Sequence, residues 1–373
     1  MKPLVLFDAA AFCYGPASTL DAVLAELSSA DIEIAVLVSG TSAEFLAAYR
    51  DCCSFVDCDT DDPGALARHD ALFRQCRLFV SNTNPLSARH ALLLGVRTIY
   101  LDTLFWMWDE IDPVIADLAI YIAQDFDGVE DNRLRIGRAI ADFHVVGPLI
   151  REAAAQGTRS NSCVISYGGM TSTLIGFDSA LRYARTMTRL AIDAIKCERP
   201  GARHLFRGNG RIMAALAQEF AGKGRDFAFV PHVGYVEEIA RAGILLLSPG
   251  LTGCYEALAA GTRTWLLPPQ NYSQQLQASV FLGRPDPAFS GRHWGDIYPD
   301  FALPRYLPER EGIARLSAAI ERFEHDFVAQ ADYVQALRDA LRNGPPPMRR
   351  PEDGGTARGA ATVADMIRQA VAA

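Results

Sequence analysis

The stretch Leu245-Leu-Leu-Ser248-Pro-Gly250-Leu251-Thr252-Gly-Cys-Tyr-Glu256-Ala-Leu-Ala-Ala-Gly261-Thr-Arg-Thr-Trp-Leu-Leu-Pro-Pro-Gln270-Asn-Tyr-Ser-Gln274-Gln275 reads as strand, turn, helix, strand and polar turn. The apolar run 244–247 is short and stops at Ser-Pro-Gly, as a buried strand does. The turn through Ser248 and Gly250 opens a helix at Leu251 and Thr252. A helix start offers unpaired N–H groups and the positive end of a dipole to an anion. Glu256 follows Thr252 by about one helical turn, where a carboxylate can accept bonds from ribose hydroxyls. Gln270, Gln274 and Gln275 come after the next strand with amides suited to sugar hydroxyls. One segment thus offers partners to a diphosphate, a ribose and a sugar, which is what a nucleotide-sugar site requires.

The chain has 373 residues, 50% apolar and 21% charged, enough for two domains with cores of their own. Net charge is −8 and there is no basic tract, which argues against nucleic acid as a partner. Eight cysteines are scattered at 13, 52, 53, 58, 76, 163, 197 and 254. The group Cys52, Cys53 and Cys58 has no matching second pair, so free thiols in a reducing, cytoplasmic compartment are expected and no metal. The Met-Lys start runs straight into a strand-like segment, too short for a signal peptide, and no apolar run is long enough to span a membrane. The sequence does not set an oligomeric state.

Strand-like runs at Leu4–Asp8, Ile32–Val38, Leu78–Ser81, Arg97–Leu101, Ile120–Ala123 and Phe143–Val146 alternate with helical patterns. A second series begins at Cys163 and continues at Ala202–Phe206, Phe227–Val230, Ile244–Leu247 and Thr264–Leu267. Such alternation implies parallel β/α units with right-handed crossovers. The expected architecture is α/β: two Rossmann-like, doubly wound parallel-sheet domains facing a cleft. Boundaries fall at 1–150, 160–345 and 346–373, the last a linker and a helix expected to return to the first domain. The segment 284–308 reads as a long loop, and 309–342 as one long helical pattern.

Ser248-Pro-Gly-Leu-Thr252, Glu256, Ala260-Gly261, Pro268 and Gln274-Gln275 resemble the donor-site pattern of GT-B glycosyltransferases. The likeness is closest to the group that forms lipid II by N-acetylglucosaminyl transfer. Tyr235-Val236-Glu237-Glu238-Ile239 is similar to that family's segment where an aromatic caps the base and the next backbone binds it. Tyr167-Gly168-Gly169-Met170-Thr171 resembles the glycine turn after the second domain's first strand. The likeness covers roughly 163–280 well and the first half in outline. It implies that Glu256 holds ribose hydroxyls and that Gln270, Gln274 and Gln275 hold the donor sugar. The plainer readings are a first-turn helix acid and an exposed amide surface. Arg207, at a strand end, can reach a diphosphate or a sugar carboxylate with its planar fork, or simply sit at the surface. No cofactor or metal is implied: helix dipoles and side chains replace a divalent ion in this group. Asp57-Cys-Asp59-Thr-Asp61-Asp62 contains Asp-x-Asp, but in the other half and in an expected loop.

The first domain departs from the family. After Leu4–Asp8 comes Ala-Ala-Ala-Phe12-Cys13-Tyr14-Gly15-Pro16, with Cys13 and Tyr14 where a general-base His usually stands. Neither is a good base at neutral pH. Asp8 is the only nearby acid, so Asp8 or a later residue is the base, or the acceptor ionises by itself. Asn82 and Asn84 in Ser81-Asn-Thr-Asn-Pro85 can bind a heterocycle or brace a turn. Leu101-Asp102-Thr-Leu-Phe-Trp106-Met-Trp108 can form an aromatic wall with acidic acceptors or anchor its loop in the core. His232 and His90 look isolated.

Phe12-Cys-Tyr-Gly-Pro16, Asp102 to Trp108 and Val145-Val-Gly-Pro148 together resemble the cytosylglucuronate synthase family of nucleoside-antibiotic pathways. That family joins cytosine, or its hydroxymethyl derivative, to glucuronate from UDP-glucuronate. The resemblance implies inverting N-glycosidic transfer, with catalysis near Asp8 and Tyr14 and the acceptor at Tyr14, Asn82, Asn84, Asp102 and Trp106. It also accounts for the missing His, since cytosine N1 loses a proton more easily than a sugar hydroxyl. A donor carboxylate calls for a cation, with Arg207 and Arg292 the candidates. Two rivals share the fold: a UDP-sugar epimerase or hydrolase, and a non-catalytic nucleotide-sugar-binding subunit.

Overall fold

The computed structural model describes residues 2–27, 31–153, 158–284, 289–344 and 359–373. The linker expected from 346 falls outside them as far as 358. The chain divides into two compact units, Met1–Ile150 with Asp353–Ala373, and Arg151–Glu352. No helix among the described residues is long and apolar enough to cross a membrane.

In the first unit the strands are Leu4–Ala9 (β1), Glu33–Val38 (β2), Ser54–Asp57 (β3), Leu78–Asn82 (β4), Thr98–Asp102 (β5), Ile120–Gln124 (β6) and Asp142–Val146 (β7). They form one parallel sheet in the order β3-β2-β1-β4-β5-β6-β7. The central strands β1, β4 and β5 are buried almost throughout, because helices cover both faces of a parallel sheet. Chain order reverses between β1 and β4, and a crevice opens beyond the carboxyl ends of strands at such a point. The helix Gly359–Ala372 packs on Gly15–Glu26 in this unit. Its last carbonyls, of Ala370 and Val371, accept from Arg97 and Arg77. A Cβ on Gly359 would stand 2.1 Å from the Gly147 carbonyl oxygen, so only glycine fits at that close approach.

The second unit holds Ser162–Gly168 (β8), Arg203–Gly208 (β9), Arg225–Ala228 (β10), Ile244–Leu247 (β11), Thr264–Leu266 (β12) and Ser290–Gly291 (β13). Their order is β10-β9-β8-β11-β12-β13, again parallel, with the reversal between β8 and β11.

Four expectations need correction. Strand β3 is half-exposed and β13 has two residues, so neither carries a readable apolar run. Strand β10 begins at Arg225, two residues before the expected start, because a polar edge strand hides its alternation. The pattern over 309–342 is two helices, Glu309–His325 and Phe327–Asn343, parted at Asp326. The Asp326 carboxylate accepts from Ala329 N at 3.0 Å and starts the second helix. The expected loop over 284–308 is ordered where it is described: it supplies β13 and the helix Trp294–Ile297. Trp294 is wholly buried and donates from Nε1 to the Pro269 carbonyl at 2.6 Å.

Candidate functional site

In the second unit the residues around the β8/β11 reversal come together. Strand β8 ends at Gly168, whose φ of +70° suits glycine, and Met170 two residues on has a φ of +64°. A left-handed non-glycine residue costs about 1–2 kcal/mol, and such strain gathers at functional turns. Beside them, β11 runs through Ser248-Pro249 into the helix Leu251–Ala260, with Gly250 as N-cap and no side chain capping it. A Cβ on Gly168 or on Gly250 would meet nothing within 4 Å, so both turns border open space. An uncapped helix start facing open space offers an anion its N–H groups and the positive end of its dipole.

Around this turn, Ser248 N donates to the Ser166 carbonyl at 2.8 Å, and the Tyr235 hydroxyl donates to Ser166 Oγ at 2.9 Å. Burial pushes the Tyr235 phenol well above its ordinary value, so it stays a neutral donor. Val236 lies past the first turn of the helix His232–Arg241 and is buried. Its N–H belongs to the helical ladder, which corrects the expectation that it binds a base. Glu256 is buried on the helix after Gly250 and takes a hydrogen bond from His232 Nε2 to Oε1 at 2.6 Å.

The amides after β12 have fixed polarities. Gln274 Oε1 accepts from Gln270 N at 3.1 Å and from Ser248 Oγ at 3.3 Å. A backbone N–H can only donate, so the Gln274 carbonyl is turned inward and its NH2 outward. Gln270 is the reverse. Its Nε2 donates to the Tyr167 carbonyl at 3.0 Å, and its buried Oε1 has no partner among the described residues. Gln275 is engaged with Ser279 and with Trp294 N, at 3.3 and 3.4 Å. It reads as a brace for this turn, which corrects its assignment to the sugar.

Arg207 does not serve a diphosphate. Nε donates to Glu238 Oε2 at 2.6 Å, and NH2 to Asp226 Oδ2 at 2.7 Å and Glu238 Oε1 at 3.0 Å. NH1 donates to the Phe206 and Asp226 carbonyls, at 3.0 and 3.4 Å. All five N–H donors of a guanidinium are thereby spent. Replacing Arg207 by Ala strands two carboxylates and should lower Tm by several degrees, since breaking a half-buried ion network costs about 2–4 kcal/mol. Affinity for UDP should stay within about twofold in calorimetry; a tenfold loss would restore Arg207 to the ligand site.

In the first unit the β1/β4 reversal carries Asp8, wholly buried at the end of β1. Ser87 Oγ donates to its Oδ2 at 2.6 Å, while the buried Oδ1 has no hydrogen-bond partner among the described residues. Burial pushes the Asp8 carboxyl up to about 7. The turns after β1 and β4 hold Cys13 at φ +51° and Thr83 at φ +58°. With Met170 these are the left-handed non-glycine residues among the described ones, and all three follow strands that flank a reversal. Thr83 Oγ1 lies 3.3 Å from Thr103 Oγ1 at the ends of β4 and β5.

The other expected acceptor residues brace the fold. Asn82 donates from Nδ2 to the Pro16 carbonyl and to Thr19 Oγ1, each at 2.6 Å, pinning the helix Gly15–Glu26 to β4. Asn84 caps the helix Pro85–Leu93 through Ser87 N and holds Thr60 Oγ1 at 2.8 Å. Asp102 accepts from Leu104 N at 2.7 Å, Trp108 Nε1 at 2.9 Å and the Tyr121 hydroxyl. Trp106 is buried edge-on against Phe126, centroids 4.9 Å apart, so its ring belongs to the core. The Tyr14 hydroxyl donates to Glu44, and burial raises that phenol far out of range of a base. In the acidic run, Asp62 caps a helix through Gly64 N and Asp59 accepts from Asp61 N. His232 and His90, which look isolated in the sequence, are paired with Glu256 and Asp70; unremarked in the sequence were Ser166, Ser87, Thr83 and Thr103. Thr83 and Thr103 directly follow strands and Ser87 stands in a helix's first turn, while Ser166 lies within β8 and carries no such signal.

No protein-family model and no curated protein matches the sequence. Solved structures share its fold. The spinosyn forosaminyltransferase SpnP superposes with a TM-score of 0.55 at 12% identity, over 100% of both chains. UGT89C1 of Arabidopsis thaliana, complexed with UDP, gives 0.54 at 13% identity over 98% of this chain and 100% of its own. A UDP-glucosyltransferase from Polygonum tinctorium capable of glucosylating indoxyl gives 0.53 at 12% identity over 99% of each chain. At these identities the likeness establishes architecture, and the chain has the GT-B fold.

Proposed function

We propose that the chain is a glycosyltransferase that moves a sugar from a UDP-sugar to a small acceptor. The observation that carries this reading is the group at the β8/β11 reversal. An uncapped helix start borders open space, with a buried Glu256 carboxylate one turn on and the Gln270–Gln274 amides beside it. These suit, respectively, the diphosphate, the ribose and the hexose of a UDP-sugar. The solved structures of the same fold include UDP-dependent transferases, which supports the reading. Helix N–H groups would stabilise the departing UDP as the anomeric carbon inverts through an oxocarbenium-like state. No divalent ion is needed in this scheme.

The narrower proposal, glucuronate as the sugar and cytosine N1 as the nucleophile, is carried by the sequence resemblance. Asn82, Asn84, Asp102 and Trp106 are engaged within the fold, which favours bracing roles for them over acceptor contacts. Burial raises two carboxyls of the first unit toward neutrality, Asp8 to about 7 and Asp102 to about 6; Asp102 is engaged by Leu104, Trp108 and Tyr121, so Asp8 is the base proposed.

Calorimetry with UDP tests the donor assignment. Wild type should bind, and Glu256→Ala should bind about 10–100-fold more weakly, the worth of hydrogen bonds to a charged group. Absence of binding to wild type, or equal affinity in the variant, would sink it. Incubation with UDP-glucuronate and cytosine, read by mass spectrometry, decides the reaction. A cytosine–hexuronate adduct supports transfer, UDP release alone assigns a hydrolase, and unchanged substrates assign a binding subunit.

A further inference from the structure

We propose that His232 is the positioning residue for ribose recognition: it locks the Glu256 carboxylate so that its second oxygen faces the ribose hydroxyls. This role rests on the nucleotide-sugar reading of the second unit. His232 and Glu256 lie 24 positions apart. His232 opens the helix His232–Arg241 and Glu256 lies midway along Leu251–Ala260, both helices leaving the carboxyl edge of the sheet. Their side chains are 2% and 1% exposed, and Nε2 stands 2.6 Å from Oε1. A carboxylate only accepts, so the Nε2 proton is directed at Oε1.

Burying a carboxylate this deeply is costly, and one hydrogen bond does not repay the loss of water at both oxygens. His232 satisfies Oε1. Oε2 has no hydrogen-bond partner among the described residues. An apolar pair would pack this spot at least as stably. What the pair adds is direction: with Oε1 held, the plane of the carboxylate and the aim of Oε2 are set before ligand arrives. A hydroxyl donor meeting Oε2 then gains a charge-assisted bond without first paying to order the acceptor. Tyr235 lies close enough to Glu256 to feel its charge, but its hydroxyl is tied to Ser166 and offers no competing hydrogen bond. His232 thus acts through Glu256, not on the nucleotide.

The test compares UDP with 2′-deoxy-UDP by calorimetry in wild type, His232→Leu and His232→Gln. Wild type should prefer UDP by about tenfold or more. The Leu variant, similar in bulk but without a donor, should bring that ratio to about two or less, while the Gln variant, with an N–H in reach, keeps most of it. A general loss of stability would weaken both nucleotides alike and leave the ratio intact. If the Leu variant does not fold, His232→Asn, polar but too short to reach Glu256, is held to the same outcome. A wild-type ratio in either donor-deficient variant overturns the role. Failure of wild type to bind UDP at all overturns the donor-site reading, and this role with it.

Discussion

Gln274→Glu is expected to bind UDP almost as wild type does and to lose UDP-hexuronate by a factor of about 100 or more. The substitution is isosteric, and the inward side chain keeps its work. Gln270 N and Ser248 Oγ both donate to Oε1, and a carboxylate oxygen accepts those bonds at least as well. Only the outward group changes, from an NH2 that donates to an oxygen that accepts. A neutral sugar hydroxyl that bonded to the NH2 can turn and donate instead, so UDP-glucose should lose about tenfold or less, the worth of an ordinary hydrogen bond. A sugar carboxylate has no such remedy. It forfeits a charge-assisted bond of about 1.5–3 kcal/mol. It also meets a like charge, at about 4 kcal/mol for 4 Å in a partly polar surrounding. Repulsion of the diphosphate is common to every ligand, and titration with UDP alone subtracts it. Equal losses for UDP, UDP-glucose and UDP-glucuronate would show that Gln274 does not face the sugar.

Gln270 makes the complementary demand. Its NH2 is spent on the Tyr167 carbonyl, and an orphan Oε1 is left. A buried acceptor without a donor costs about 1–3 kcal/mol, which a sugar hydroxyl would recover. The two amides are therefore held with opposite polarities, a distinction that spacing alone cannot reveal. The sequence Pro-Pro-Gln270-Asn-Tyr-Ser-Gln274 shows two amides after a strand. The Gln270 amide is turned by Tyr167, more than a hundred positions earlier, and the Gln274 amide by Ser248 and the Gln270 N–H.

The same limit separates what could be read in the chain from what could not. Alternating strand and helix signals sufficed for two parallel sheets, because central strands such as β1, β4 and β11 are buried on both faces and spell out their apolar runs. Edges escaped: β13 is too short to show a period, and β3 is half wet. The turns at Gly168 and Gly250 were legible because each depends on its own stretch of chain; the surroundings of Glu256 were not, since its partner His232 comes from another helix. Arg207 was not. Its partner Asp226 comes from the neighbouring strand β10 and Glu238 from a helix beyond it. Asn82 and Asp102 follow strands as ligand-binding residues do, but their partners Pro16 and Tyr121 are supplied by packing. A polar residue at a strand end is equally suited to bind or to brace, and only its neighbours in space decide.

Asp8 is where bracing and catalysis can be separated by one substitution, Asp8→Asn. In the folded chain burial holds the carboxyl near 7, against 3.8 ordinarily. The folded state therefore resists the charge that the unfolded chain accepts. The stability contributed by a neutral Asp8 is complete below about pH 4 and is lost as pH rises through 7, with a ceiling on the order of 4 kcal/mol. Wild-type Tm should fall over that window, and the Asn variant should not follow it, becoming the more stable protein above neutrality. Ser87 can still donate, now to the amide oxygen, so the fold tolerates the exchange. Turnover should move the other way. A carboxyl near 7 is well matched to taking a proton at neutral pH, and losing a general base costs about 10²–10⁴ in kcat. The wild-type rate should rise with pH along the ionisation of Asp8, and the residual rate of the variant should lack that limb. An unchanged kcat beside an altered stability slope would leave Asp8 to the core and return proton loss to the acceptor, as a nucleophile as acidic as cytosine N1 allows. Loss of both together, with Tm falling in the variant, would mean that the Ser87 bond, and not the charge, is what this position supplies.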